Sequence, residues 1–182
     1  MNTIVLSAGL LMLLLASGVR CADTPEPIAP MIPGALPFVP VPGALAAPDQ
    51  RRVYKVIFNV QQAAAKPNQP SDGVLFAATD LSALRGQGVP AANTRFALIF
   101  HGPAVDALLA DEHYQAKFGT PNPNLPLLAA LRRAGAEVLV CSQFLGAMKI
   151  DPKTLTRDAA LASEAYITLI TFQNDGYALL EF

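Results

Sequence analysis

From Arg52 onward, short runs rich in β-branched and aromatic residues alternate with stretches whose apolar residues recur every three or four positions. No other feature constrains the fold as much. The first run, Val53 to Val60, reads as a buried strand, and Gly73 to Leu84 follows with helical spacing at Val74, Leu75, Ala78 and Leu81. Gly86 and Gly88 come where a left-handed cap needs glycine. Thr94 to Phe100 is a second strand, and Pro103 suits the first turn of a helix carrying Val105, Leu108 and Leu109. A further helix is expected from an Asn124 N-cap through Leu131 to Gly135, then a third strand over Glu137 to Val140 that delivers Cys141. Asp151-Pro152 marks a helix start. A fourth strand is expected over Ala159 to Ser163, a helix over Ala165 to Asn174 with Ile167, Leu169 and Ile170 buried, and a last strand over Tyr177 to Phe182. Apolar strands joined by helical crossovers form parallel sheets covered on both faces. The expected fold is therefore α/β, an open doubly wound parallel sheet of about five strands.

The residues before Arg52 do not fit that pattern. Ile4 to Ala16 is apolar but shorter than the roughly 20 residues a membrane span needs. Small residues follow, so 1–21 reads as a signal peptide, although no Lys or Arg precedes the apolar run. This implies a periplasmic or secreted protein with no stable membrane span after cleavage. Eight of the 16 prolines lie between Asp23 and Pro48. Proline fixes φ and removes a donor, so 22–51 is expected to be a disordered, extended tether leading to a domain over 52–182.

A formal net charge of −1 and 15% charged residues leave no basic footprint for nucleic acid and no polybasic membrane patch. The two cysteines are Cys21 and Cys141. Cys21 lies in the leader or the tail, so a disulfide framework within the domain is not expected. Two dispersed histidines and one cysteine lack metal-ligand spacing, so no metal and no other cofactor is expected. There is no phosphate-cradling loop and no nucleophile-elbow serine.

Parallel strands bring their C-terminal ends to one edge, where open α/β sheets bind ligands. Asn59, His101 and Cys141 all end strands there. Cys141 leads into Ser142 and Gln143, whose turn would aim backbone N–H groups at sulfur, and thiolate is the nucleophilic form of cysteine. His101, followed by Gly102, is the candidate acid/base partner. Asn59, Gly102, Ser142 and Gln143 are the expected pocket residues. The alternative is that Cys141 packs as a small apolar side chain and that His101 only hydrogen-bonds a loop. His113, among Asp111, Glu112 and Gln115, reads as part of a solvated helix face.

Five stretches in order carry a family resemblance: Tyr54 to Phe58; Ala97 to Ala104; Phe118-Gly119 with Asn122-Pro123-Asn124-Leu125; Ala134 to Gln143; and Asn174 to Ala178. On these, Tyr54 to Leu180 resembles the DsrE/DsrF-like family, especially its exported single-domain members. The resemblance implies a compact parallel α/β fold that forms oligomers. In sulfur-relay members, a cysteine after the third strand carries a persulfide, and Cys141 matches that position. Ser142 stands where exported relatives often have glycine, and Met148-Lys149 where an Arg-Gly pair is common. Two readings follow. One is a sulfur-handling protein with a persulfide on Cys141 and a sulfur donor or acceptor protein as partner. The other is a non-catalytic, oligomeric binding module with a structural cysteine. A thiol-disulfide oxidoreductase is disfavoured, since no CxxC pair exists.

Overall fold

The computed structural model describes residues 25–182; the expected signal peptide over 1–21 lies outside them. Five strands form one parallel sheet: β1 (Tyr54–Val60), β2 (Thr94–Phe100), β3 (Glu137–Cys141), β4 (Ala160–Ala162) and β5 (Ala178–Glu181), in the order β4-β3-β2-β1-β5. The helices are α1 (Asp72–Gly86), α2 (Asp111–Phe118), α3 (Leu125–Arg133), α4 (Ser142–Met148) and α5 (Ala165–Asn174). β1 to β4 step across the sheet in sequence, and the crossover through α5 then returns the chain to the far side of β1.

Alternate residues of a strand face opposite sides of its sheet. Phe58, Val60, Phe96, Leu98, Phe100, Val138 and Val140 point to one face and join the large core built with α1 and α3. Ile57, Ala97, Ile99 and Cys141 point to the other, where Ala165 and Leu169 of α5 cover them. The expected open sheet with helices on both faces is what the chain forms, but the two faces are unequally covered. The second buried cluster is much smaller than the first.

Three local expectations change. Ile167 and Ile170 are each 58% exposed, and of the three α5 residues expected inside, Leu169 alone is buried. α5 is apolar on more than one side, and a lone helix over a small apolar face cannot bury them all. The chain after His101 forms a 3₁₀ stretch over Gly102–Leu108, and α2 begins separately at Asp111. Asn124 precedes α3 but makes no side-chain cap; its Oδ1 instead accepts the Ser71 N–H at 2.8 Å.

The Pro-rich segment also departs from expectation. Its described part is without helix or extended sheet, but Ile28 and Phe38 pair across a tight excursion. Between them Ile32 and Ala35 are buried in the large core. The Ile32 N–H donates to Ser82 Oγ at 3.3 Å and the Leu36 N–H to Thr79 Oγ1 at 3.1 Å, both acceptors on α1. A disordered tether over 22–51 is thus corrected for 28–38. Proline excludes ladders, not docking; a few apolar residues spaced among prolines can seat against a helix whose own hydroxyls take up the unpaired backbone donors.

Candidate functional site

β1, β2, β3 and β5 end at one rim, and on the α5 side they carry Asn59, His101, Cys141 and Glu181. Register explains their proximity. Asn59 pairs with Glu181 across β1 and β5. Phe100 pairs with Val140 across β2 and β3, so His101 and Cys141 are the next residues out on neighbouring strands.

Asn59 is the one polar residue in the buried end of β1, at 2% exposure. A buried amide left unpaired is costly, and both of its ends are used. Its Nδ2 donates to Glu181 Oε2 at 2.8 Å, and its Oδ1 lies 2.8 Å from His101 Nε2. The same Glu181 oxygen accepts Gln61 Nε2 at 3.0 Å. The half-buried His101 ring meets the edge of Tyr166 on α5, with centroids 5.5 Å apart. Burial lowers the His101 pKa below its usual 6.5, against the opposing pull of the Glu164 and Glu181 charges. Protonation is thus disfavoured, and the ring is biased toward the neutral form that can accept a proton.

Cys141 closes β3 and is a free thiol. Its Sγ accepts the Phe144 N–H at 3.4 Å, so the side chain caps α4. The residue is 3% exposed and packs among Ile57, Ala97, Ile99, Ala165 and Leu169. The sulfur is therefore covered in the single chain, as the structural-cysteine reading expects. α4 adds the half-buried Phe144 to that cluster; its one buried residue, Leu145, belongs to the core on the other face, and Gly146 to Lys149 are exposed.

Of the other expected pocket residues, Gly102 sits at φ 61, where a side chain would be strained, and its missing Cβ faces Gln61 O at 3.3 Å. Its role is to turn the chain at the rim. Ser142 opens α4 half-buried and Gln143 is exposed; the Glu181–Asn59–His101 chain reaches neither. Five cavities, of about 80 to about 370 Å³, are lined by neither Cys141 nor His101; one of about 360 Å³ touches the rim at Glu181 and Phe182. Glu181, Gln61, Glu164 and Tyr166 were absent from the expected site. Glu181 had a signal, as the polar residue ending an apolar strand, but its pairing with Asn59 needed the strand order. Among the described residues no helix is long and apolar enough to cross a membrane.

The model of the DsrE/DsrF-like family matches residues 55–182. The chain belongs to the DsrE/DsrF-like family. Among solved structures it is similar to a protein of unknown function, MTH1491 from Methanobacterium thermoautotrophicum. The identity is 19% and the TM-score 0.50, with 71% of this chain and 99% of that one covered. At that identity the likeness concerns the fold alone. No curated protein matches. Within this DsrE/DsrF-like chain, the cysteine that the family resemblance singles out is the residue that ends β3 beside His101.

Proposed function

We propose that this DsrE/DsrF-like protein handles sulfane sulfur by carrying it as a persulfide on Cys141. The observation that carries the reading is the placement of Cys141. It ends β3 at the ligand edge, accepts one backbone N–H at sulfur, and neighbours His101 in register. The chemistry needs no external cofactor. The Cys141 thiol gives up its proton, with His101 as the acceptor nearest in register. The thiolate then attacks the outer sulfur of a donor persulfide R–S–SH. A new S–S bond forms as the donor's S–S bond breaks, leaving Cys141–S–SH and the donor thiolate R–S⁻. The exchange is neutral in electrons, and reversal onto an acceptor thiol releases the sulfur. Because Cys141 is covered, uptake requires part of that cover, from α5 (Ala165, Leu169) or α4 (Phe144), to move aside or a partner to displace it. Intact-mass spectrometry after incubation with a sulfane donor tests this: wild type gains one sulfur atom and Cys141→Ala gains none. Equal behaviour of the two ends the proposal.

The 3% exposure of Cys141 favours a second reading, a binding module in which the cysteine packs. Thiol labelling of native protein separates the two, since a purely structural cysteine labels only after global unfolding. On either reading the chain self-associates, and the exposed row of Tyr166, Ile167 and Ile170 on α5 supplies an apolar surface for a second copy. Light scattering of wild type against Ile167→Glu/Ile170→Glu reads this as loss of the oligomer. We place the protein in the periplasm or outside the cell on the strength of the apolar leader over 1–21.

A further inference from the structure

The rim holds a second piece of chemistry beyond the cysteine: a chain of hydrogen bonds from an exposed carboxylate, through a buried amide, to an imidazole. Its polarity follows from its first member. An ionised carboxylate accepts and cannot donate. Glu181 Oε2 therefore requires the NH₂ end of Asn59, and Gln61 Nε2 reinforces the charge on the same oxygen. With its NH₂ committed, Asn59 can offer His101 only its carbonyl oxygen. A carbonyl needs a donor, so the ring proton must sit on Nε2. The lone pair is then on Nδ1, for which no partner occurs among the described residues. The acceptor-only carboxylate fixes the orientation of the Asn59 amide, and through it the tautomer of the ring.

We propose that Glu181 and Asn59 are positioning residues that hold His101 as the Nε2–H imidazole, making Nδ1 the proton acceptor at this rim. The arrangement has the logic of an orienting group behind a histidine base, here with an amide interposed between carboxylate and ring. Three features agree with a purpose beyond packing. Asn59 puts an amide at a buried strand position where only its hydrogen bonds to Glu181 and His101 offset its desolvation. Its partner Glu181 is exposed, and the hydrogen bonds to its Oε2 come from two amides, Asn59 and Gln61. Desolvation lowers the pKa of the half-buried ring, while the charges of Glu164, which caps α5, and Glu181 on β5 oppose this. Service of this base to Cys141 rests on the sulfur-handling reading; the tautomer itself does not.

The test is a long-range proton–nitrogen NMR correlation on the ¹⁵N-labelled full chain, with the His101 ring assigned against His101→Gln. Wild type should show a single neutral tautomer with the proton on Nε2. In Glu181→Gln the new amide can accept or donate, so Asn59 is free to turn over. The His101 signals should then shift toward a mixture containing Nδ1–H, and the midpoint of protonation should fall with the lost charge. Glu164→Gln removes a similar charge outside the chain; it should lower the midpoint and leave the tautomer unchanged. That contrast is what a merely structural carboxylate would not give. Glu181 is exposed, so its replacement should leave the fold intact. An Nδ1–H ring in wild type, or the same tautomer in wild type and Glu181→Gln, overturns the proposal. If the tautomer responds as stated while Cys141 takes up no sulfur, the positioning role stands and the sulfur reading falls.

Discussion

The packing of Phe144, near the start of α4, against the cluster that covers Cys141 makes a quantitative prediction. α4 has seven residues, and Leu145, at 2% exposure, is the one that is buried. The helix is thus held by a single apolar anchor, the Phe144 contact with both cores, and the Sγ cap at Phe144 N–H. Segments with so few buried contacts open locally at less cost than global unfolding. Leu145→Ala removes the anchor. Burial of a leucine is worth about 2–5 kcal/mol in cores, and at the rim, where neighbours can collapse, the low end of about 2–3 kcal/mol applies. If labelling of Cys141 waits on α4 opening, the rate scales with the open population. At tenfold per about 1.4 kcal/mol, Leu145→Ala should then label roughly 30 to 140 times faster than wild type. The assay is stopped-flow reaction with a chromogenic disulfide in native buffer, repeated at low urea. Local opening shows a weak urea dependence and global unfolding a steep one. The reasoning is refuted if wild type already labels at the rate of a free thiol, or if Leu145→Ala leaves the rate unchanged.

Other perturbations extend the same account. Lys149 ends α4 at φ 55, a left-handed position that disfavours a residue with a side chain; Lys149→Gly should stabilise α4 by about 1 kcal/mol and slow Cys141 labelling about fivefold in the same assay. Ile32→Ala should weaken docking of the Pro-rich segment by about 2–3 kcal/mol, read as faster hydrogen exchange at the Phe38 amide with a smaller fall in global urea stability. His101 has a folded pKa below its ordinary value because it is desolvated, so its contribution to stability is present above about pH 6.5 and lost as pH falls through the folded value. Urea midpoints should therefore drop on mild acidification, and His101→Gln should flatten that part of the profile.

Much of the sheet was legible because parallel strands bury both faces. Tyr54–Val60, Thr94–Phe100 and Glu137–Cys141 are apolar runs that no amphipathic helix would carry. Asn59, His101 and Cys141 were legible for the related reason that polar or reactive residues at strand ends gather at one edge. Glu181 was not, because β5 pairs with β1 only after a crossover of the whole sheet, and local pattern carries no strand order. Ile167 and Ile170 look like core at helical spacing; their exposure follows from α5 lying on a face too small to bury both its sides. Prolines mark 28–38 as irregular, and only tertiary contact with Ser82 and Thr79 makes it ordered. Lys149 holds the left-handed end of α4, a position where the family resemblance implies glycine and where that backbone conformation costs glycine nothing.

The central claim is that one sulfur atom, at the outer end of β3, receives another. Peptide-resolved mass spectrometry of native protein treated with a sulfane donor, with thiols and persulfides alkylated before digestion, reads it directly. The account predicts a 32-dalton increment on the fragment holding Cys141 that a reductant removes, and no such increment on that fragment in Cys141→Ser. An unmodified Cys141 in wild type, under conditions where the same thiol is open to alkylation, would contradict it.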